Sequence, residues 1–451
     1  MDRRNFLKAS LAGAAGVALG DNLLAQDVFA GVIVPGEVYT DGKSAAVSTG
    51  VEDHLKVEGY VKEPSHKIPV VASADVVVAG GGPAGFSAAI CAAREGASVI
   101  LVEKANFLGG LWTGGLVLPV LATHGRGKDM SWQKATGGLC VEICDELLEK
   151  GWAINPQDPR VEPEATKYLL DCKIKEAGVR IIYNATVAGV TMSGDRIDSV
   201  LIDCNTGRLA LKCKAVVDAT GDGCVFNFAG DPYEARKYHI SDSYRLGNCR
   251  GSKYKVNTPI FDMRCGSVGT HKPEDGLDIF RVSDLQQSHR IETWNKIHEL
   301  KKDPEYKDTY LIEMAPVTGV RVTRVLDSLH NVTLADSMEW VSYDDCIGMS
   351  GICDPFNYKG RRITKKDRPI WQIPYRSLVP KQTKNLLVAG RCFGYDAGIT
   401  WDAREISTCF VTGQAAGAAA AMSAIGRTST KDVDIKALQS KLRAGKVRLD
   451  F

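Results

Sequence analysis

The sequence predicts a doubly wound α/β fold with a second, mixed α/β domain inserted into it. Three observations carry this. Val76-Val77-Val78 is an apolar, β-branched run of the kind a buried parallel strand needs, and it leads directly into Gly80-x-Gly82-x-x-Gly85. An Ala-rich helical stretch over 83–94 and a strand over 98–102 follow, ending at Glu103. Two later strands, 215–218 and 385–389, also run into glycine turns, with an irregular stretch between them.

Each part of the first segment has a physical task. Gly80 allows the tight turn from strand to helix. Gly82 lacks a Cβ, so a pyrophosphate can approach the backbone, and Gly85 lets the helix pack close to the sheet. The helix N-terminus, at Pro83 and Ala84, offers free N–H groups and a positive dipole end to phosphates. Glu103 is placed to accept hydrogen bonds from a ribose 2′-hydroxyl and would repel a 2′-phosphate, which excludes NADP. A GxGxxG alone is a weak signal. Here strand, glycines, helix, second strand and acidic end occur in order, and that context outweighs a glycine-rich turn that binds nothing.

Composition bounds the rest. The 451 residues are 44% hydrophobic and 24% charged, an ordinary soluble composition with room for two or three domains. A net charge of +2 without a basic patch argues against nucleic acid as a partner. No apolar run reads as long enough to span a bilayer, and the longest, 413–425, is mostly Ala and Gly and reads as a buried helix. Thirteen cysteines form no CxxC, which disfavours iron–sulfur ligation and a redox dithiol. Cys140 and Cys144 read as small buried residues on a helix. His298-Glu299 lacks the second histidine of HExxH, so no metal site is expected.

In chain order, residues 2–10 read DRRNFLKAS and precede a short apolar segment over 11–19. Arg3-Arg4 with Phe6-Leu7-Lys8 resembles a twin-arginine export signal, with a small residue for cleavage at Ala30; the plain alternative is an amphipathic N-terminus. Residues 1–30 are therefore expected to be a signal, leading to a periplasmic or otherwise exported protein, and 31–72 an arm. In NFLGGLWTGG, residues 106–115, Gly109-Gly110 lets the backbone pass close to a large planar cofactor and Thr113 is a candidate hydrogen-bonding group; the alternative is a simple loop. Helices are expected over 138–150 and 164–177, and strands over 179–183, 185–190, 197–203, 209–213 and 215–218. The turn after the last, Ala219-Thr220-Gly221-Asp222, can close over a pyrophosphate and ribose. Residues 231–330 lose this regularity and hold five of the eight histidines, as in a cap or substrate domain. The loop CFGYDAGITWDAR, 392–404, leads into an Ala/Gly helix near 408–424, and 433–443 is amphipathic.

Six separated segments then agree with one family: IPVVASADVVVAGGGPAG (68–85), LVEKANFLGG (101–110), AVVDATGDG (215–223), IPYRSLVP (373–380), NLLVAGRC (385–392) and TGQAAGAAAA (412–421). The chain resembles the FAD-dependent oxidoreductases of the two-dinucleotide-binding-domain flavoprotein type. Within them it is similar to the bacterial branch related to the flavin part of heterodisulfide reductase. The resemblance implies a doubly wound, Rossmann-like FAD-binding domain over 73–230 and 385–425. It also implies an inserted mixed α/β substrate domain over 231–384 and a C-terminal helix and tail over 426–451. It places Gly80, Gly82, Pro83, Ala84 and Gly85 at the FAD pyrophosphate, and Glu103 with Lys104 at the adenosine ribose. Gly109, Gly110 and Thr113 fall beside the cofactor, and the Val187 backbone at the adenine. Ala219, Thr220, Gly221 and Asp222 line the nucleotide, and Gly390, Arg391, Gly413 and Ala416 lie near the ribityl chain and flavin. Many relatives carry histidines after GRC; this loop has none, so a histidine acid or base there is not transferable. The ferredoxin-type cysteine clusters of heterodisulfide reductases are also absent.

For chemistry at the flavin, the candidates are Tyr395, Asp396, Asp402 and Arg404 in the loop, with Tyr375 and Arg376 from IPYRSLVP and His239 and His271 from the insertion. Any one of them is more often structural than catalytic. Arg321 and Arg324 read as ties between domains. The leading expectation is an exported enzyme moving a hydride between a small organic substrate and FAD. The second is a reductase of an unsaturated acid fed by an exported cytochrome, which predicts several arginines converging on the flavin. The third is a non-catalytic FAD-containing module. A small-molecule substrate and a redox partner protein are the expected partners; the oligomeric state is open.

Overall fold

The computed structural model describes residues 51–451 apart from 62–63, 65, 250–263, 353–355 and 365–366. The expected signal, with Arg3-Arg4, and most of the arm lie outside the described residues. The strand read at Val76–Val78 is the inner half of β1 (Val70–Ala79), which is parallel to β2 (Val99–Val102) and joined to it through α1 (Pro83–Arg94). All four residues of β2 and the last four of β1 are buried, which is why both read as unbroken apolar runs. The helices α2 (Leu139–Glu149) and α3 (Pro163–Glu176) precede β3 (Arg180–Ile182), parallel to β2.

The chain then forms an antiparallel hairpin, β4 (Thr186–Ser193) and β5 (Arg196–Cys204), and enters β6 (Gly207–Asp218). The sequence reads two strands where the structure has this single one of 12 residues. Its first half pairs antiparallel with β5, and it runs parallel to β1 from Ala210 to Asp218. The first half is partly exposed and the last four residues are buried, so one strand carries two hydrophobic patterns.

In the inserted segment, β7 (Ile240–Gly247) pairs antiparallel with β8 (Arg264–Gly269), β9 (Tyr310–Met314) and the short β10 (Gly319–Val320). Over this sheet lies α5 (Ile279–Leu300), which buries Leu285, His289, Thr293 and Ile297 at four-residue spacing. Farther on, β11 (Cys346–Gly351) pairs with β12 (Ile370–Pro374), and Ile347, Trp371 and Ile373 share one core with α1. The chain returns to the main sheet as β13 (Leu386–Val388), parallel to the end of β6. The sheet order is β3-β2-β1-β6-β5-β4, with β13 beside the upper half of β6.

Two helices close the fold, α6 (Ile406–Gly426) and α7 (Ile435–Ala444), the second burying Leu438 and Leu442. One expectation is corrected here: by length and composition α6, with 21 residues, is apolar enough to cross a membrane. Its most apolar window is 83% buried inside the protein. The sequence hides its length because Ser407, Thr408 and Thr412 interrupt the apolar run. Their hydroxyls are satisfied by the carbonyls of Leu121, Asp402 and Thr408, which makes burial tolerable.

Candidate functional site

Three strand ends meet at the carboxyl edge of the sheet: β1 at Gly80, β6 at residues 219–221 and β13 at Gly390. Gly80 has φ +96°, and a Cβ there would overlap the carbonyl of Ala219. The Ala219 N–H in turn donates to the Ala79 carbonyl at 2.8 Å. A Cβ on Gly85 would overlap the Gly80 carbonyl, so this glycine serves helix-to-sheet contact, as read from the sequence.

Gly82 differs from both. Its φ of −69° suits any residue, and the nearest atom to a Cβ there is the Gly110 Cα at 3.9 Å. Gly110, with φ +52°, passes close by: a Cβ there would come within 3.0 Å of the Gly82 Cα, so the two backbones meet without side chains. Gly82 caps α1 without a side-chain hydrogen bond, and Pro83 has no N–H, so the first free donors of α1 belong to Ala84 and Gly85. A side-chain-free cradle at an uncapped helix N-terminus fits a pyrophosphate. The Gly109 N–H donates to the Gly81 carbonyl at 2.9 Å and fixes the second wall.

Glu103 is buried and holds this loop. Its Oε2 accepts the Gly81 N–H at 2.6 Å and its Oε1 the Ala105 N–H at 2.7 Å. A carboxylate has about four acceptor sites, so two backbone donors leave capacity for a ribose hydroxyl. Lys104 beside it is exposed. The Ala185 N–H donates to the Glu103 carbonyl at 3.2 Å, which brings the start of β4, and Val187, beside the ribose end.

The far wall is the β6 turn. Asp218 is fully buried; burial pushes its carboxyl up, and donors from Thr220, Phe226 and Val225 only partly offset this. These bonds pin the turn over residues 219–223 to α4 (Cys224–Ala229). Thr220 is occupied in the same network, its hydroxyl donating to Asp218 at 2.7 Å. Asp222 pairs with Arg391, whose Nε also donates to the Gly221 carbonyl at 2.7 Å. Burial alone would raise the Asp222 carboxyl, but Arg391, Lys104, Thr323 and Arg324 together hold it below the usual range. Arg391 and Asp222 thus strap the β13 turn to the β6 turn. Arg324 reaches the Asp222 carbonyl at 3.0 Å, and Arg321 the His239 carbonyl at 2.8 Å.

The loop over 392–404 borders this edge. Tyr395 is enclosed, with its hydroxyl donating to the Arg391 carbonyl at 2.6 Å, and burial pushes the phenol up. The sequence reading missed Arg236. This buried arginine pairs with Glu234 and donates to the Tyr395 carbonyl at 2.8 Å and to Thr400 Oγ1 at 3.2 Å. The available signal was Glu234-x-Arg236, a same-side pair, with nothing to link it to a loop about 160 positions away. Asp396 caps the turn before Thr400 by accepting the Ile399 N–H at 3.2 Å; burial pushes its carboxyl up. Asp402 is buried. The Arg404 guanidinium lies 4.9 Å from the Trp401 ring and 5.8 Å from the Tyr238 ring, and those rings meet edge to face at 5.5 Å. Tyr238 and its neighbour His239, whose Nδ1 is 3.0 Å from the Thr270 carbonyl, come from the inserted segment; His271 is exposed.

Five expected site residues stand elsewhere or do other work. Tyr375 is buried and donates to the Thr430 carbonyl at 2.7 Å, and Thr430 Oγ1 in turn bonds the Leu386 carbonyl. That is the amino end of β13, opposite the glycine turn. Arg376 pairs with Asp345 at 3.3 Å. Thr113 is enclosed and donates its hydroxyl hydrogen to the Leu108 carbonyl at 2.6 Å, so it braces its loop. A Cβ on Gly413 would overlap the Ala84 carbonyl, and Ala416 is fully buried; both serve helix packing.

Residues 75–239 and 231–442 match the FAD dependent oxidoreductase family. The chain belongs to that family. FAD is the cofactor that the cradle fits, and the chain is an enzyme of the oxidoreductase class. Residues 1–20 match the twin-arginine translocation signal sequence. A thiamine thiazole synthase of Aeropyrum pernix is 31% identical over 164 residues, 34% of this chain and 56% of that protein. A digeranylgeranylglycerophospholipid reductase 1 of Methanococcoides burtonii is 28% identical over 37% of this chain and 42% of its own length. The chain thus spans about half the length of these curated relatives. Among solved structures, a geranylgeranyl bacteriochlorophyll reductase-like protein of Thermoplasma acidophilum superposes with TM-score 0.43 at 16% identity, covering 83% of each chain. A flavoprotein/dehydrogenase of Cytophaga hutchinsonii gives TM-score 0.45 at 12% identity, covering 81% of this chain and 82% of its own.

Proposed function

We propose that this chain is an exported enzyme that moves a hydride between a carbon of a small organic molecule and FAD. The observation that supports it best is the side-chain-free start of α1 at Gly82, with the Ala84 and Gly85 N–H groups free to meet a pyrophosphate, together with a cation and aromatic cluster supplied by both the flavin-side loop and the inserted segment. When bound, FAD supplies the hydride chemistry. The residues do the rest. Ala84 and Gly85 N–H groups hold the pyrophosphate, Glu103 the ribose, and the Arg391–Asp222 strap fixes the turns around it. Trp401 and Tyr238 exclude water from the substrate side. Arg404 holds a carboxylate or a developing negative charge on the substrate. Within the family, the segments 68–85, 215–223 and 385–392 support a place in the branch related to the flavin part of heterodisulfide reductase.

A second reading, reduction of an unsaturated acid with electrons from an exported cytochrome, draws support from the relative named as a lipid reductase. It needs several arginines free to meet an acid, and Arg236 and Arg391 are already engaged with Glu234, Asp222 and backbone carbonyls. The family match removes the ground for a non-catalytic module. The test is anaerobic bleaching of the bound flavin by a panel of small alcohols, amines and acids. Arg404→Lys keeps the charge and loses the planar fork. It should slow bleaching by the active compound roughly ten- to a hundredfold, about the worth of one charge-assisted hydrogen bond. FAD content should stay unchanged. Unchanged bleaching rates in Arg404→Lys and Arg404→Ala alike would remove this residue from the site.

A further inference from the structure

The inserted sheet carries a pocket separate from the dinucleotide cradle. Residues 310–320 meet β7 in two pieces, β9 against Tyr244–Gly247 and β10 against Ile240 and Ser241. Between them, Ala315-Pro316-Val317-Thr318 leaves the ladder. The Ala315 N–H still reaches the Ser243 carbonyl at 2.8 Å, Pro316 has no N–H, and Val317 turns its N–H to the Gly114 carbonyl at 3.0 Å. The chain therefore arches away opposite Asp242. Under the arch lies a pocket of about 520 Å³ lined by Asp242, Gln286, Arg290, Trp294, Leu311 and Met314. That volume is in the range that holds small organic ligands, roughly 300–1,000 Å³.

Asp242 is 4% exposed and half satisfied. Its Oδ2 lies 2.8 Å from His289 Nδ1, on the buried stripe of α5. Its Oδ1 is buried and has no hydrogen-bond partner among the described residues. One turn along α5, Thr293 Oγ1 is in the same condition. Buried carboxylate oxygens are normally met by donors. Among the described residues one donor, His289, meets this carboxylate, and it meets the other oxygen. Trp294, 56% exposed, leaves a large aromatic face at the mouth of the pocket.

We propose that this pocket binds a small organic molecule with an apolar or aromatic body and one hydrogen-bond-donating head, a hydroxyl or an ammonium. The head bonds Asp242 Oδ1, and the body lies against Trp294, Leu311 and Met314. The exposed Arg290 stands at the rim, and the inner end is acidic, so an anionic head is refused.

The test uses the full, FAD-loaded chain and four probes of one size: benzyl alcohol, benzylamine, toluene and benzoate. Binding is read by ligand-observed NMR and by Trp fluorescence. Benzyl alcohol or benzylamine should bind at least tenfold tighter than toluene and benzoate, and the stronger of the two tells a neutral head from a cationic one. Asp242→Asn should abolish the preference. Trp294→Ala, a change at an exposed position that the fold tolerates, should weaken the preferred probe at least fivefold with FAD content unchanged. It decides the matter should Asp242→Asn fail to fold. No saturable binding of any probe, equal binding of all four, or a preference that survives Trp294→Ala and Asp242→Asn would overturn the proposal.

Discussion

At Gly82 the fold and the cofactor make different demands on one residue. Its backbone is ordinary, and a Cβ would meet nothing nearer than 3.9 Å, so the empty chain accepts alanine there. The pyrophosphate does not, because the methyl group stands in the cradle. Gly85 is the reverse case, since its Cβ would drive into the Gly80 carbonyl whether or not a ligand is bound. Gly82→Ala should therefore leave the melting temperature of the apoprotein nearly unchanged, within ~0.5 kcal/mol of stability, while flavin released on denaturation falls to a small fraction. Gly85→Ala should lose ~3 kcal/mol or more and yield little folded protein. A fully loaded Gly82→Ala protein would contradict the cradle. The sequence presents these glycines as one motif with a separate reason for each, and the structure bears out two of those reasons, the tight turn at Gly80 and the helix-to-sheet contact at Gly85. It was less informative for Thr113 and Tyr375. Residue type shows that a hydroxyl is present; which carbonyl it meets depends on how Leu108 and Thr430 are placed by the rest of the chain.

Among elements, the contact between α1 and α6 sets how firmly the cradle is held. Gly413 and Gly417 face Ala84 and Ala88, four apart on both helices, and a Cβ on either glycine would overlap a backbone carbonyl of α1. The backbones therefore touch, as small residues at four-residue spacing permit. Gly417→Val should cost ~3 kcal/mol or more and weaken FAD retention by shifting α1, read as a lower melting temperature and free flavin on gel filtration. Gly426→Ala, near the open end of the same helix, should be neutral or slightly stabilising. The strands are tied at their other end by Asp75, which accepts the Ser98 N–H and hydroxyl from the approach to β2 and pairs with Lys214 of β6. Lys214 first, then Ser98, holds this carboxyl at about 2. A folded value below the unfolded one, about 3.9, stabilises the protein above about pH 4, and the benefit is lost as pH falls toward 2. Asp75→Asn should cost about 2 kcal/mol at neutral pH and flatten the loss of stability between pH 4 and 2, as measured by denaturant unfolding. Most elements were legible because periodicity and burial agree in them. β6 was not, because its two halves have different neighbours. Arg236 was not, because its value lies in a loop brought to it by the whole fold.

For the whole molecule, the contacts that make the site are distant in sequence: Gly80 with Ala219, and Gly221 with Arg391. The cradle is complete only when α6, near the end of the chain, has packed on α1. A chain threaded unfolded across a membrane would have to do all this afterwards and find FAD on the far side. The twin-arginine route, which carries folded proteins, avoids both problems, and residues 1–20 match its signal. Arg3 and Arg4 are the groups to change, and lysine is the informative replacement because it keeps the charge and alters only what the guanidinium fork recognises. With both arginines replaced by lysine, the precursor should stay in the cytoplasm, yellow and folded, because the residues that form the cradle, from Gly80 to Gly390, all follow the first 20. Fractionation with a flavin assay on each fraction reads both properties. Gly85→Ala with an intact signal should also remain inside, colourless, because it fails at folding and not at recognition. Normal export of the double lysine variant would show that the N-terminus is not read as a twin-arginine signal, whatever its resemblance to one.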